Sequence, residues 1–266
     1  MLLEVEALKT ISLYVDKDTY VHKLEPVTKL WYAFTSVMLT FIFPSIWMGL
    51  LFLSISVFLS LVARVLKNMI GLVSAVLVVS LTMLVIQGMF YKENATLVFT
   101  IGDLKFYKEG LVHATLLIIR VVNMITAFGL LILTTRPSDM VANLVQKGLS
   151  PKLGYILSSV LQIIPQMLST ASTIMDAQRS RGLETEGNFS QKLKAFFALI
   201  GPLVLSSLVE ARERAIAIEM RGFGATKRPT FVTLIPETPP DKVVKFIMKF
   251  VLVIAVVWRV TLWIMK

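Results

Sequence analysis

Residues 30–63 read LWYAFTSVMLTFIFPSIWMGLLFLSISVFLSLVA, 34 positions without a formal charge. The hydrocarbon core of a bilayer takes about 20 helical residues, so this run is too long for one average crossing and suits two short ones of roughly 17–20. Pro44-Ser45 and Gly49 sit near its middle, where turn-forming residues would reverse the chain. The run therefore predicts a helical hairpin in a membrane. Working outward, Asn68 to Tyr91 is a second uncharged run, of 24 residues, and predicts a third span. Leu111 to Thr135, broken only by Arg120, predicts a fourth. Phe250 to Met265 predicts a fifth, in a helix starting near Val243, with Trp258 and Trp263 placed for an interfacial belt.

Composition agrees. Of the 266 residues 56% are hydrophobic and only 17% charged, against about 25% charged in soluble domains, and mean hydropathy is +0.75. Such a chain would expose too much apolar surface to water. This excludes a disordered regulator, a secreted disulfide scaffold and an ordinary cytosolic enzyme. The absence of cysteine excludes disulfides and thiol chemistry. The fold class expected is an all-α polytopic membrane protein with about five transmembrane helices and a cytosolic helical domain.

Charge sets the expected orientation. The loop after the second span carries Arg64 and Lys67 and no acid, and the loop from Tyr91 to Gly110 is neutral. The block from Arg136 to Lys249 has fifteen Lys/Arg against nine Asp/Glu, net +6. The positive-inside rule puts the 64–67 loop and that block in the cytosol. With five spans the N-terminus is then inside and the C-terminus outside. The formal charge of +10 speaks to anionic lipid rather than to nucleic acid. The expected divisions are a cytosolic lead-in at 1–29, four spans at 30–135, a basic cytosolic helical domain at 136–242, and the last span at 243–266. Glu4 and Glu6, without a basic stretch, argue against a cleaved signal. Pro26 suits a first helical position. Phe99 to Gly110 is expected to be a short interfacial piece on the outer side, and Thr226 to Asp241 a proline-rich linker.

Reaction chemistry is missing. No phosphate-binding glycine loop and no His-Glu-x-x-His occurs, and His22 and His113 lie 91 residues apart. The spans contain no Asp or Glu, and Arg120 reads as a snorkelling or carbonyl-paired side chain, ahead of the alternative of a pathway residue. No catalytic, cofactor-binding or metal-ligating residue is expected.

Inside the basic block two stretches repeat one pattern. Leu153, Leu157, Val160, Ile164, Met167, Ala171 and Ile174 alternate steps of four and three. So do Phe197, Gly201, Val204, Leu208, Ala211, Ala215 and Ile218. Each predicts a long helix with one apolar seam, packed on its fellow or lying along an interface. Ser159, Gln162, Gln166, Ser169 and Thr173 take the opposite face of the first, and Glu210, Arg212, Glu213, Arg214, Glu219 and Arg221 gather on the second. The two helices end alike, in Gln178-Arg179-Ser180-Arg181-Gly182 and Glu219-Met220-Arg221-Gly222, the Arg-Gly pairs 40 residues apart. Arg suits the negative end of the helix dipole and Gly the left-handed position that stops the helix. One such end is ordinary capping. Two, on paired long helices, place Arg181 and Arg221 to project into a partner.

Here the sequence resembles the transmembrane T component (EcfT) of energy-coupling factor transporters, the family that includes the cobalt-transport permease subunits. The resemblance rests on Ser180-Arg181-Gly182 and Met220-Arg221-Gly222 against the family's paired Ala-Arg-Gly signatures. Leu24-Glu25-Pro26-Val27-Thr28-Lys29-Leu30 is similar to the stretch leading into the family's first span, and Leu133-Thr134-Thr135-Arg136-Pro137 to one after its fourth. Ser180 and Met220 replace the alanines, and Gln162 stands where the family often has arginine before aromatic-Ile-Pro. The resemblance implies a non-catalytic subunit of an ABC importer in a bacterial or archaeal cytoplasmic membrane. It implies two ABC ATPase subunits, or one fused pair, gripping the coupling-helix ends at Gln178, Ser180, Arg181, Gly182, Glu219, Met220, Arg221 and Gly222. It further implies a small membrane S component that packs on the seam at Leu157, Val160, Ile164, Met167, Ala171, Val204, Leu208, Ala211 and Ala215 and carries a vitamin, vitamin precursor or transition-metal ion. Two other readings stand below it: a conventional ABC permease binding cargo itself, and a lipid or glycan enzyme using Asp139, Asp176 or Glu210.

Overall fold

The computed structural model describes residues 13–92, 95–101, 104–184, 187–224 and 235–265. Glu4, Glu6, Glu93, Asp103 and most of the expected linker at 226–241 lie outside the described residues. Nine helices and one strand pair are found among those described: α1 (Tyr20–Lys23), α2 (Pro26–Ile42), α3 (Ile46–Val62), α4 (Leu66–Phe90), β1 (Leu97–Ile101), β2 (Leu104–Tyr107), α5 (Lys108–Thr134), α6 (Pro137–Gln146), α7 (Pro151–Ser180), α8 (Phe189–Met220) and α9 (Pro239–Ile264). The all-α polytopic class holds. By length and composition alone α4, α5 and α8 are able to cross a membrane, and α3 is a shorter apolar helix. α8 qualifies although the sequence reading set it in the basic block, because Ala195 to Val209 is free of charge, between Lys192 and Lys194 on one side and the charges from Glu210 onward on the other.

The chain divides into two compact units, one formed by Leu13–Asn143 and Ile235–Lys266, the other built on Leu144–Leu234. In the first, the hairpin is present: α2 stops at Ile42, α3 starts at Ile46, and Phe43 to Ser45 make the turn. Pro26 takes the first helical position of α2, where its missing N–H costs nothing. α5 is the central helix, packed by α2, α3 and α4, while α9 lies on α2. Its buried positions are mostly small or polar, among them Gly110, Ala114, Asn123, Thr126, Ala127 and Gly129, which lets neighbouring backbones approach without a hydrophobic drive between helices. The apolar core joins Val21, Ala63, Val65, Met69, Leu130 and Leu133.

Many polar groups are paired within this bundle, though the buried hydroxyls of Thr28, Thr35 and Thr135 have no partner among the described residues. Asn123 is fully buried on α5. Its amide nitrogen donates to Thr40 Oγ1 at 2.9 Å and Ser36 Oγ at 3.1 Å, and its carbonyl accepts from Ser56 Oγ at 3.0 Å. Tyr32 Oη lies 2.7 Å from Ser56 Oγ. Arg120 donates through Nε to the Thr40 carbonyl at 3.3 Å and lies over the Phe41 ring, a carbonyl-paired arrangement.

A second knot gathers residues far apart in sequence. The Glu25 N–H donates to Asp241 Oδ1 at 3.2 Å. Its carboxylate accepts from Asn143 Nδ2 at 2.9 Å and pairs with the Lys245 ammonium, which also meets Glu237 at 2.9 Å. Lys29 Nζ donates to the carbonyls of Thr134 at 2.9 Å and His22 at 3.1 Å. Outside the spans, His22 Nε2 lies 3.0 Å from the Val15 carbonyl and Nδ1 2.7 Å from Thr19 Oγ1. Burial pushes its pKa below the usual value, with Lys29 adding to the effect.

Phe99 to Gly110, expected to be an interfacial piece, holds an antiparallel strand pairing that runs into α5: Phe99 pairs with Phe106 and their rings stack at 4.8 Å. Lys108, Glu109 and Gly110 already belong to α5. The Glu109 carboxylate accepts the N–H groups of Ala95 (3.2 Å) and Thr96 (3.1 Å) and the Thr96 hydroxyl.

Candidate functional site: the twin helix ends

Within the second unit α7 and α8 are built for length. α7 starts with Pro151 at its first position. α8 starts in a capping box in which the Asn188 N–H donates to Gln191 Oε1 at 2.8 Å. Each carries one interior proline, Pro165 and Pro202. A proline has no N–H, so one rung of each helix is missing, at the carbonyls of Leu161 and Ala198. The seams run on either side of these breaks.

The two C-termini are closed by the same motif. Leu183 N–H donates to the Gln178 carbonyl at 3.0 Å and Gly182 N–H to the Arg179 carbonyl at 2.9 Å. Forty residues on, Phe223 N–H donates to Ile218 at 3.1 Å and Gly222 N–H to Glu219 at 2.9 Å. This six-to-one and five-to-two pairing is the Schellman motif. It needs a left-handed residue, and Gly182 and Gly222 supply it with φ of +86° and +72°. In each case the arginine is the C-cap residue, the last before the chain turns. Both arginines are exposed, and Met220 is 84% exposed. Among the described residues neither guanidinium makes an ion pair.

Polar and aromatic residues join the two helices. The Tyr155 ring lies 5.2 Å from that of Phe223. Gln166 donates to Glu210 Oε2 at 3.0 Å and accepts from Arg214 at 2.5 Å. The start of α7 thus runs antiparallel to the end of α8. A cavity of about 470 Å³ opens there, lined by Tyr155, Gln162, Arg214, Ala217, Ile218 and Arg221, with Phe223 closing it. Arg221 therefore stands beside a formed aromatic cleft. At the first end Leu183 holds the position that Phe223 holds at the second.

Sequence reasoning placed Gln162 and Gln166 on the face opposite the seam, and that face makes the contact. Of the seam positions Leu157, Val160, Ile164, Val204, Leu208, Ala211 and Ala215 are exposed, and Met167 and Ala171 are half-buried. Ile174 and Ile218 of the two stripes are half-buried as well, and Ile218 lines the cleft beside Tyr155, so polar cross-helix bonds join the pair while most of each apolar stripe is exposed. Tyr155 and Phe223 were missed, since nothing in their spacing links two aromatics 68 residues apart.

The fold and site define a class: a polytopic helical membrane protein carrying a pair of long helices with matched Arg-Gly ends. The profile of the cobalt transport protein family (CbiQ) matches residues 17–231, and the chain belongs to that family as a transmembrane T component of an energy-coupling factor transporter. Among curated relatives, the energy-coupling factor transporter transmembrane protein EcfT of Lactococcus lactis is 30% identical, covering 79% of this chain and 82% of its own. The EcfT protein of Clostridium kluyveri is 32% identical over 80% and 82%, and that of Bacillus subtilis 30% over 80% and 84%.

Proposed function

We propose that this subunit transmits the ATP-driven motion of two ABC ATPases to a substrate-binding S component, through α7 and α8, for uptake of a vitamin, vitamin precursor or transition-metal ion. One ATPase takes the Arg181-Gly182 end and the other the Arg221-Gly222 end, with Gln178, Ser180, Glu219 and Met220 around them. The S component packs on the open seam. Residues 136–242 form the coupling domain on the cytosolic side, with the N-terminus inside and the C-terminus outside.

The observation that carries this reading is the duplicated Schellman end, each presenting an exposed arginine without a counter-ion among the described residues. An exposed guanidinium on a rigid cap suits bidentate pairing with a partner carboxylate. Removing one member of a buried interfacial charge pair costs about 2–5 kcal/mol. In co-purification from native membranes, Arg181→Ala and Arg221→Ala are expected to lose ATPase subunits, and cells carrying the double variant to lose uptake. Normal assembly and full uptake in the double variant would overturn the reading.

A further inference from the structure

We propose that the cleft between α2, α3 and α9 is a binding site for one anionic phospholipid. The cleft has a volume of about 260 Å³ and an almost wholly apolar lining. Leu39, Phe52, Ile55 and Val251 form its walls, and Tyr32 and Thr35 mark the end nearer the charged knot. From Tyr32 to Leu39 it extends about 10 Å along α2, at 1.5 Å per residue. That is a slot for part of an acyl chain rather than for a compact polar solute.

Its polar features are graded in the order of a lipid. The buried hydroxyls behind it are satisfied: Tyr32 and Ser56 bond each other, and Ser36 bonds Asn123. Thr35, only 4% exposed, is the exception in the lining, for its hydroxyl has no hydrogen-bond partner among the described residues. A buried hydroxyl without a partner is unfavourable, and this one lies behind the lining at the upper edge of the polar end, closed off from the cleft itself. Beyond Thr35, towards the charged end of α2 and α9, the Lys249 ammonium stands over the Trp31 ring at 5.3 Å. Lys242, exposed, follows two turns further down α9. Lys245 is engaged by Glu25 and Glu237 and takes no part. Phosphate at Lys249 and acyl chain along Leu39, Ile55 and Val251 thus lie in sequence from the charged end of the bundle to its apolar middle. The cationic rim selects an anionic headgroup, since a lysine near a membrane surface draws anionic lipid.

The test is native mass spectrometry of the full purified chain, delipidated and back-titrated with phosphatidylglycerol or phosphatidylcholine. The expected result is one phosphatidylglycerol held in preference to phosphatidylcholine. Lys249→Gln, which leaves the bundle interior untouched, should weaken that preference about fivefold. Ile55→Trp, filling the slot, should abolish retention of both lipids. Equal retention of the two lipids by the wild type, or an unchanged preference in Lys249→Gln, would overturn the proposal. The chain has no cysteine, so Ile55→Cys can carry a single photo-crosslinker in native membranes. Lipid adducts there support the site, and adducts to a membrane protein in their place overturn it.

Discussion

Glu25→Gln tests how the first unit is held together. The Glu25 side chain is 0% exposed and its Lys245 partner 12%. The substitution keeps the shape and an acceptor for Asn143, and removes only the charge. Breaking a buried pair from one side costs about 3–5 kcal/mol, because the other charge is left uncompensated. Lys245 keeps Glu237 at 2.9 Å, and Glu237 is 30% exposed, so the low end, about 3 kcal/mol, is expected. The exposed pair Arg136–Asp16, at 52% and 75%, is by comparison worth at most about 1 kcal/mol. For a chain of this size 1 kcal/mol moves the midpoint by about 2–4 °C, so the purified chain should melt about 6–12 °C lower. Lys245→Met should cost a similar amount. The double variant should lose at least about 2 kcal/mol less than the sum, since it leaves neither charge stranded. A shift below about 2 °C, or strict additivity, would refute the reasoning.

Gly182→Ala and Gly222→Ala meet no atom within 4 Å at the new methyl, so their cost is conformational, about 1–2 kcal/mol of local fraying. Faster amide exchange at Leu183 and Phe223 reads it out. Arg64 closes α3 in the same way with φ +57°, its N–H on Leu61 and that of Val65 on Ser60. Arg64→Gly should therefore raise stability by about 1 kcal/mol in a thermal melt. Asn123→Ala removes bonds to Ser36, Thr40 and Ser56, yet the Thr40 and Ser56 hydroxyls keep bonds to their own helices. Polar contacts within membranes average about 0.6 kcal/mol, and a total loss of about 1–2 kcal/mol in the same melt is expected. His22 has a folded pKa below its unfolded value of 6.5, so the unfolded chain binds more protons and the stabilisation is complete above pH 6.5. It is lost as the pH falls from there through the folded pKa. Melts taken between about pH 7.5 and 5 should show this slope in the wild type and a flatter one in His22→Gln.

The helices of this protein are legible because the signals that set them are local. Uncharged runs can span only as helices when no water is present to satisfy the backbone. Pro44-Ser45 breaks the hairpin where the chain itself must turn. Arg-Gly closes α7 and α8 because glycine alone takes positive φ freely. Leu97 to Tyr107 was less legible. Its two strands are five and four residues long, too short for periodicity to tell from an interfacial segment.

What the sequence determined by itself is the membrane class, the positions of the long helices, their apolar seams and their caps, all functions of residues within a few turns of one another. Only the tertiary structure decided that Glu25, Asn143 and Asp241 close one knot, that Gln166 joins Glu210 to Arg214, and that Tyr155 meets Phe223 while most seam positions are exposed. A stripe of apolar residues states that a helix has a face to bury. It does not state against what, because burial in lipid, in a neighbouring helix or in another subunit removes the same side chains from water. A fully desolvated charge is satisfied only by a partner in place, and that partner is found through space, not along the chain.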